Sequence, residues 1–277
     1  FLMPALVLTI IFKYLPMGGL LIAFEDYNVI KGVFGSPWVG LEYFKRFLSS
    51  PDFMSYLLNT LKLSIYGLLW GFPIPIILAL LLNRIRKQGI KKKIQLLIYA
   101  PNFISVIVLC GMVRMFLSPV GPMNRILGIT TNWMTMPTAF RTIYIASGIW
   151  QGAGWASIMY TAALANASKE LEEAAVMDGA GHGIVFFRII LPLSMPAIAS
   201  ASIFNFVSAW NNLLFPLVFI SKDSMKTISI GLLSFFGAYT SDYGAVMAAI
   251  GVSIIPPIIM YILLLAMIPS TLWKKSF

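Results

Sequence analysis

The sequence predicts an all-α, polytopic membrane protein with about six transmembrane helices, and three observations predict it. Of 277 residues 59% are hydrophobic and the mean hydropathy is +0.86, more apolar surface than a soluble fold of this size can bury. The apolar residues come in runs approaching the ~20 that cross a hydrocarbon core, not in the alternating patterns of half-buried elements. The 20 Lys and Arg, against 10 Asp and Glu, gather in short clusters beside those runs, as expected of cytosolic loops. A net charge of +10 would suit a nucleic-acid partner, but this placement argues for a lipid bilayer and no nucleic acid. One membrane domain is expected over residues 1–277, with its core at about 56–268.

The first span, about Phe1 to Phe24, is interrupted by Lys13, Pro16, Gly18 and Gly19 and should kink or end early. The run leads straight into a structured-looking loop, so no cleavable signal peptide is expected. Lys13 snorkels or faces protein. Residues 25–52 form a polar outer segment with Pro37 and the interfacial Trp38. The second span, about Tyr56 to Leu82, holds Gly67 and Gly71 at a spacing that favours close helix packing, then Pro73 and Pro75. Six of the eleven residues 83–93, NRIRKQGIKKK, are Lys or Arg. This loop is therefore cytosolic, and the N-terminus, two spans away, is cytosolic too.

A third span, about Ile94 to Leu117, carries Arg114 near its outer end, and residues 118–139, rich in Pro and Gly, make a second outer loop. The fourth, about Phe140 to Leu164, repeats the glycine spacing at Gly148 and Gly152. The fifth, about Met195 to Ile220, and the sixth, about Gly244 to Ile268 with Pro256 and Pro257 inside it, flank an outer loop at 221–243. Lys274 and Lys275 close the chain on the cytosolic side.

The most informative polar stretch lies between the fourth and fifth spans. Ser168 can cap a helix whose first turn carries Glu170, Glu172 and Glu173, acids that complement the positive end of its dipole. Leu171, Ala174 and Ala175 share one small, smooth face, and Gly179 stands where the helix should end. A second piece, Ile184 to Leu191, adds Phe186, Phe187 and Ile190 before Pro192 stops it. Either a docking element or an ordinary solvated loop fits this pattern. Residues 169–188 hold four acids against Lys169 and Arg188, an acidic helix amid a basic cytosolic surface, which favours a partner with a basic or helix-N-terminal cleft.

The order Glu173-Ala174-Ala175, Asp178-Gly179-Ala180, Phe187, Ile190, Leu191-Pro192 and Pro196 resembles the EAA loop of MetI-like permease subunits of binding-protein-dependent ABC importers. The stretches at 24–47, 71–83 and 143–165 resemble the carbohydrate-uptake branch, with its multiple-sugar, glycerol-phosphate and alginate-type permeases. The first two thirds of the chain resemble one of the two permease types that pair in sugar importers, whereas 204–220 and 227–247 resemble the other. The resemblance implies that the loop at about 166–192 is a cytosolic coupling helix. Glu173, Ala174, Ala175, Asp178, Gly179, Ala180, Leu191 and Pro192 would meet a cytosolic ABC ATPase. It also implies a second permease subunit, as a heterodimer or alternatively a homodimer, and an extracellular or periplasmic solute-binding protein. The location implied is a bacterial plasma (inner) membrane. ATP and magnesium would bind the ATPase, leaving no cofactor, and no catalysis, in this chain.

Candidate cargo contacts lie in the fourth and fifth spans. Trp150, Gln151, Trp155, Asn205, Ser208, Trp210, Asn211 and Asn212 are uncharged hydrogen-bonding or stacking groups within oily helices. A sugar offers hydroxyls to amides and C–H faces to indole rings, although amides also serve as interhelical contacts. Another solute, such as an oligopeptide or amino acid, is the nearest alternative, and a secondary transporter a further one, but no membrane acid or clear repeat supports the latter. The chain has one cysteine, Cys110, and one histidine, His182, so disulfide frameworks and Cys or His metal clusters are excluded. It also lacks a GxxxxGK[ST] phosphate loop, and GAGHGI at 179–184 does not complete GxGxxG.

Overall fold

The computed structural model describes residues 2–166, 191–233 and 242–266. Among them the fold is helical; the only extended pairing there is an antiparallel bridge between Glu25 and Trp38. Cα packing divides the chain into two compact units, Phe1–Thr60 with Lys222–Ile259, and Leu61–Ser221 with Met260–Phe277.

In the first unit, α1 (Leu2–Thr9) runs into a π-helical turn, Ile10–Tyr14, and a 3-10 stretch, Leu15–Phe24. The interruption expected at Lys13 and Pro16 is this change of helical pitch, and Lys13 stays exposed. The polar segment that follows is folded. Phe24 stacks on Trp38 with ring centroids 5.4 Å apart, beside the bridge, and α2 (Glu42–Leu48) begins soon after. Phe47 of α2 packs with Phe53, Leu57, Leu232, Val252 and Ala249, placing α2 against α3 (Phe53–Gly71), α11 (Ile228–Leu233) and α12 (Tyr243–Ala266).

Polar contacts tie α3 to α11 and α2 to α12 in this unit. Thr60 Oγ1 accepts from the Ile228 N–H at 2.9 Å, and Asn59 Nδ2 donates to the Ser224 carbonyl at 2.8 Å. Asp242 accepts from the Ala245 N–H at 3.0 Å, capping α12, and pairs with Arg46 at 2.9 Å. Tyr43 donates to Asp26; burial, then the charges of Asp242 and Asp26, hold its phenol above the ordinary value, so it remains a donor at neutral pH.

In the second unit, α4 (Pro73–Arg84) lies along α8 (Pro137–Asn166), the most extensive packing between helices among the described residues. Next come α5 (Gln88–Tyr99), a 3-10 turn, Ala100–Phe103, and α6 (Val106–Phe116). The region of the expected third span, about Ile94 to Leu117, is sharply bent: Gln88–Phe103 and Val106–Phe116 meet at 96°. Pro101 opens the break, and Ser105 starts a new helix by accepting from the Val108 N–H at 3.3 Å. Arg114 donates to the Val218 carbonyl at 2.8 Å, near the end of α10 (Leu214–Phe219), where helix carbonyls lack partners. The fifth expected span is likewise interrupted, α9 (Leu191–Trp210) giving way to α10 across Asn211–Leu213.

A buried asparagine holds the loop between α6 and α8 together. Asn124, in α7 (Pro122–Leu127), is 0% exposed. Its Nδ2 donates to the carbonyls of Ser118 at 3.0 Å and Thr131 at 2.6 Å, and its Oδ1 accepts from Trp133 Nε1 at 2.7 Å. Asn124→Ala would strand two carbonyls and an indole N–H, and should cost about 2 to 3 kcal/mol. The purified protein in detergent should melt at a lower temperature and show altered Trp133 emission.

Four helices among the described residues are long and apolar enough to cross a membrane: Leu2–Phe24, Phe53–Arg84, Ile198–Phe219 and Tyr243–Ala266; the bent pair makes a fifth if taken as one span. Helix α8, with 30 residues, has ample length at about 1.5 Å per residue, but its Thr, Ser, Gln and Gly residues dilute its apolar character. The coupling residues Glu173, Ala174, Ala175, Asp178, Gly179 and Ala180 lie outside the described residues, whereas Leu191 and Pro192 open α9.

Candidate functional site

Among the described residues of the second unit, two cavities are walled by α8. The smaller, about 320 Å³, is bounded by Gly67 and Gly71 of α3, Pro75 of α4, Gly148 and Gly152 of α8, and Asn205, Ser208 and Asn212 at the end of α9 and beyond. Tyr144 adds a phenol ring. The glycine pairs therefore differ from the close packing expected of their spacing: a Cβ at Gly67, Gly71, Gly148 or Gly152 would meet no described atom within 4 Å. These glycines clear space along two helices. Close approach happens instead at Gly154, where an added Cβ would collide with the carbonyl of Ile98 in α5.

The polar groups of this cavity are partly committed to backbone. Asn205 Nδ2 donates to the Ala201 carbonyl at 2.9 Å, one turn back in α9, leaving its Oδ1 as an acceptor. Asn212 Oδ1 accepts from the Phe215 N–H at 3.2 Å, capping α10, and leaves its Nδ2 to donate. One amide acceptor, one amide donor, a serine hydroxyl and a tyrosine hydroxyl thus line the cavity, without a charge.

The larger cavity, about 620 Å³, is bounded by Tyr66 and Trp70 of α3, Ile74 of α4, and Thr138, Arg141, Thr142, Ile145 and Trp150 of α8. Of the expected cargo residues only Trp150, 52% exposed, lines it. Asn205, Ser208 and Asn212 line the smaller one, and the remaining four line neither. Gln151 Nε2 donates to the Ile104 carbonyl at 2.7 Å, satisfying a group that the bend removes from helical bonding. Trp155 meets Phe103 edge-on, Trp210 is buried and stacked on Phe206, and Asn211 is exposed; none of them lines either cavity. Tyr66, Trp70, Arg141 and Tyr144 escaped the sequence reading. The signal for Arg141 was its recurrence with Thr138, Thr142 and Ile145 on one side of α8, and that for Tyr66 and Trp70 their i, i+4 spacing on α3.

Among the described residues no group of three or more His, Cys, Asp or Glu could hold a metal. The chemistry on offer is hydrogen bonding, ring stacking and one guanidinium, which suits recognition more than bond breaking.

Residues 71–273 match the family described as binding-protein-dependent transport system inner membrane component. The chain belongs to that family. The permease is 40% identical over 233 residues to Protein LplB of Bacillus subtilis (strain 168), a match covering 81% of this chain and 72% of the relative. It is 40% identical over 195 residues to the polygalacturonan/rhamnogalacturonan transport system permease protein YteP of the same organism, covering 69% of this chain and 61% of YteP. Its fold is similar, at a TM-score of 0.84 and 30% identity, to a chain in the crystal structure of a bacterial ABC transporter involved in the import of the acidic polysaccharide alginate. That match covers 100% of this permease and 94% of the alginate transporter chain.

Proposed function

We propose that this permease is the transmembrane subunit of an ATP-driven importer, forming half of the pathway for a sugar or oligosaccharide delivered by an external binding protein. The observation that carries the reading is the uncharged, hydrogen-bonding cavity bounded by Asn205, Ser208, Asn212 and Tyr144 and cleared by four glycines. Its volume of about 320 Å³ falls in the range of about 300 to 1,000 Å³ usual for small-molecule sites. Amide and hydroxyl groups exchange hydrogen bonds with water for hydrogen bonds with sugar hydroxyls at little net cost, so cargo is held weakly enough to leave. Family membership and the sugar-transport names of YteP and the alginate importer support the same reading.

In this reading residues 1–277 act as one permease domain in a bacterial inner membrane. Helix α8 is the fourth of six spans, the bent pair of α5 and α6 the third, and both termini face the cytosol. The segment at about 166–192, with Glu173, Ala174, Ala175, Asp178, Gly179, Ala180, Leu191 and Pro192, docks on a cytosolic ABC ATPase. That ATPase binds ATP and magnesium, and its closure shifts the permease pair between outward- and inward-facing states. A second, different permease completes the pathway. This chain itself catalyses no reaction.

Gly148→Leu tests the cavity. Nothing described lies within 4 Å of a Cβ there, so the helix should accept the side chain while the cavity fills. ATP-driven uptake in proteoliposomes should fall to background with the ATPase still bound. Unchanged uptake would remove the cavity from the pathway.

A further inference from the structure

We infer that the larger cavity is a subsite for a carboxylated sugar, a uronic-acid unit of an oligosaccharide, with Arg141 pairing its carboxylate and the rings of Trp70, Trp150 and Tyr66 stacking on the sugar faces. The inference rests on the importer reading above and adds to it the charge of the cargo.

An arginine in a membrane-spanning helix is costly unless its charge is answered. Arg114 of the bent α5–α6 pair has such an answer, donating to the Val218 carbonyl. Arg141 is half-buried on the second turn of α8 and borders the cavity, and no described carboxylate lies within ion-pairing distance of it. A guanidinium's fork of N–H donors matches a carboxylate in two parallel hydrogen bonds, a geometry that a neutral sugar hydroxyl does not reproduce.

The walls fit the rest of such a ligand. Trp70 is 60% exposed, Trp150 52% and Tyr66 43%, and all three border the same cavity as Arg141. Exposed rings on two helices, α3 and α8, present flat apolar surfaces, on which the C–H faces of a pyranose bury area while its hydroxyls stay at the rim. Thr138, one turn before Arg141, adds a hydroxyl. Arg141 and Trp150 are nine residues apart, a rise of about 13 Å along α8, longer than one sugar ring. The carboxylate grip and the indole platform therefore engage successive units of an oligomer. The smaller cavity, which has no charged lining residue, then meets neutral hydroxylated portions only.

The test uses the full chain, purified with its co-purifying subunits into phosphatidylcholine nanodiscs. The probes are trigalacturonate and its fully methyl-esterified, neutral counterpart. Binding is followed by tryptophan emission and by calorimetry. The intact protein should bind the acid about tenfold or more tightly than the ester, the share expected of one charge-assisted pair. Arg141→Gln should bring the two affinities together, and Arg141→Lys should keep part of the difference. Equal binding by the intact protein, or a preference that survives Arg141→Gln, overturns the inference while leaving the sugar importer standing. Native mass spectrometry adds a further arm. A phosphatidylglycerol retained by the intact protein and lost in Arg141→Gln, with no difference between the sugars, makes this a lipid headgroup site and also overturns it. If neither oligosaccharide binds and neither enters proteoliposomes with the binding protein present, the inference is overturned, while the importer reading still stands or falls on the Gly148→Leu uptake test above.

Discussion

Gly154→Val should sharply lower the melting temperature of the purified permease and reduce the amount of monodisperse protein recovered from membranes. The reason is local and steric. Gly154 presses on the Ile98 carbonyl, so a Cβ at this position meets backbone of α5, which no rotamer change can move aside. Overpacking of this kind costs typically about 1 to 3 kcal/mol, and here the neighbour is the helix leading into the 96° bend. Gly152→Ala, two residues earlier on the same helix, meets nothing described within 4 Å. It should gain about 0.5 to 1 kcal/mol from helix propensity. Comparable melting temperatures for the two variants would show that α5 does not lie against Gly154.

Gly179→Pro should abolish ATP-driven uptake while leaving the permease inserted and monodisperse. Proline locks φ and removes an N–H, so it is poorly tolerated where a helix hands over to a turn. In the proposed coupling segment that turn sets the angle at which an acidic, alanine-faced helix enters the ATPase. Paired reversal of Glu172 and Glu173 to lysine should act on the same contact through charge, with an effect that weakens as salt is raised. Both variants should lose the ATPase on purification. ATPase retention undiminished in both would remove the coupling role from this segment.

The membrane class was legible in the sequence because long apolar runs have no soluble explanation, and the helices fall close to the predicted places. The bend at Ile104 was less so. Pro101 and Ser105 carry the signal, a stop followed by an N-cap, but a continuous apolar run masks it. The glycine spacings were visible, yet spacing alone does not say whether a small face meets a helix or opens a cavity. Only the arrangement of α3, α4, α8 and α9 decides that. Gln151 and Trp210 illustrate the same limit from the other side. Polar or aromatic side chains in an oily helix suggest a pathway, whereas Gln151 is committed to the Ile104 carbonyl by a tertiary contact that local sequence does not encode, and Trp210 stacks on Phe206 one turn back on its own helix. Arg141 stood near an expected helix end, where snorkelling hides significance, and two of the three rings around it, Tyr66 and Trp70, come from a helix some 70 residues earlier.

The most direct measurement is affinity purification of the tagged chain from its own host in mild detergent, with mass spectrometry of what accompanies it. An ABC ATPase together with a second, different permease, both dependent on an intact 166–192 segment, is the predicted result. The absence of any ATPase, under conditions that keep other importers of the same host assembled, would contradict it.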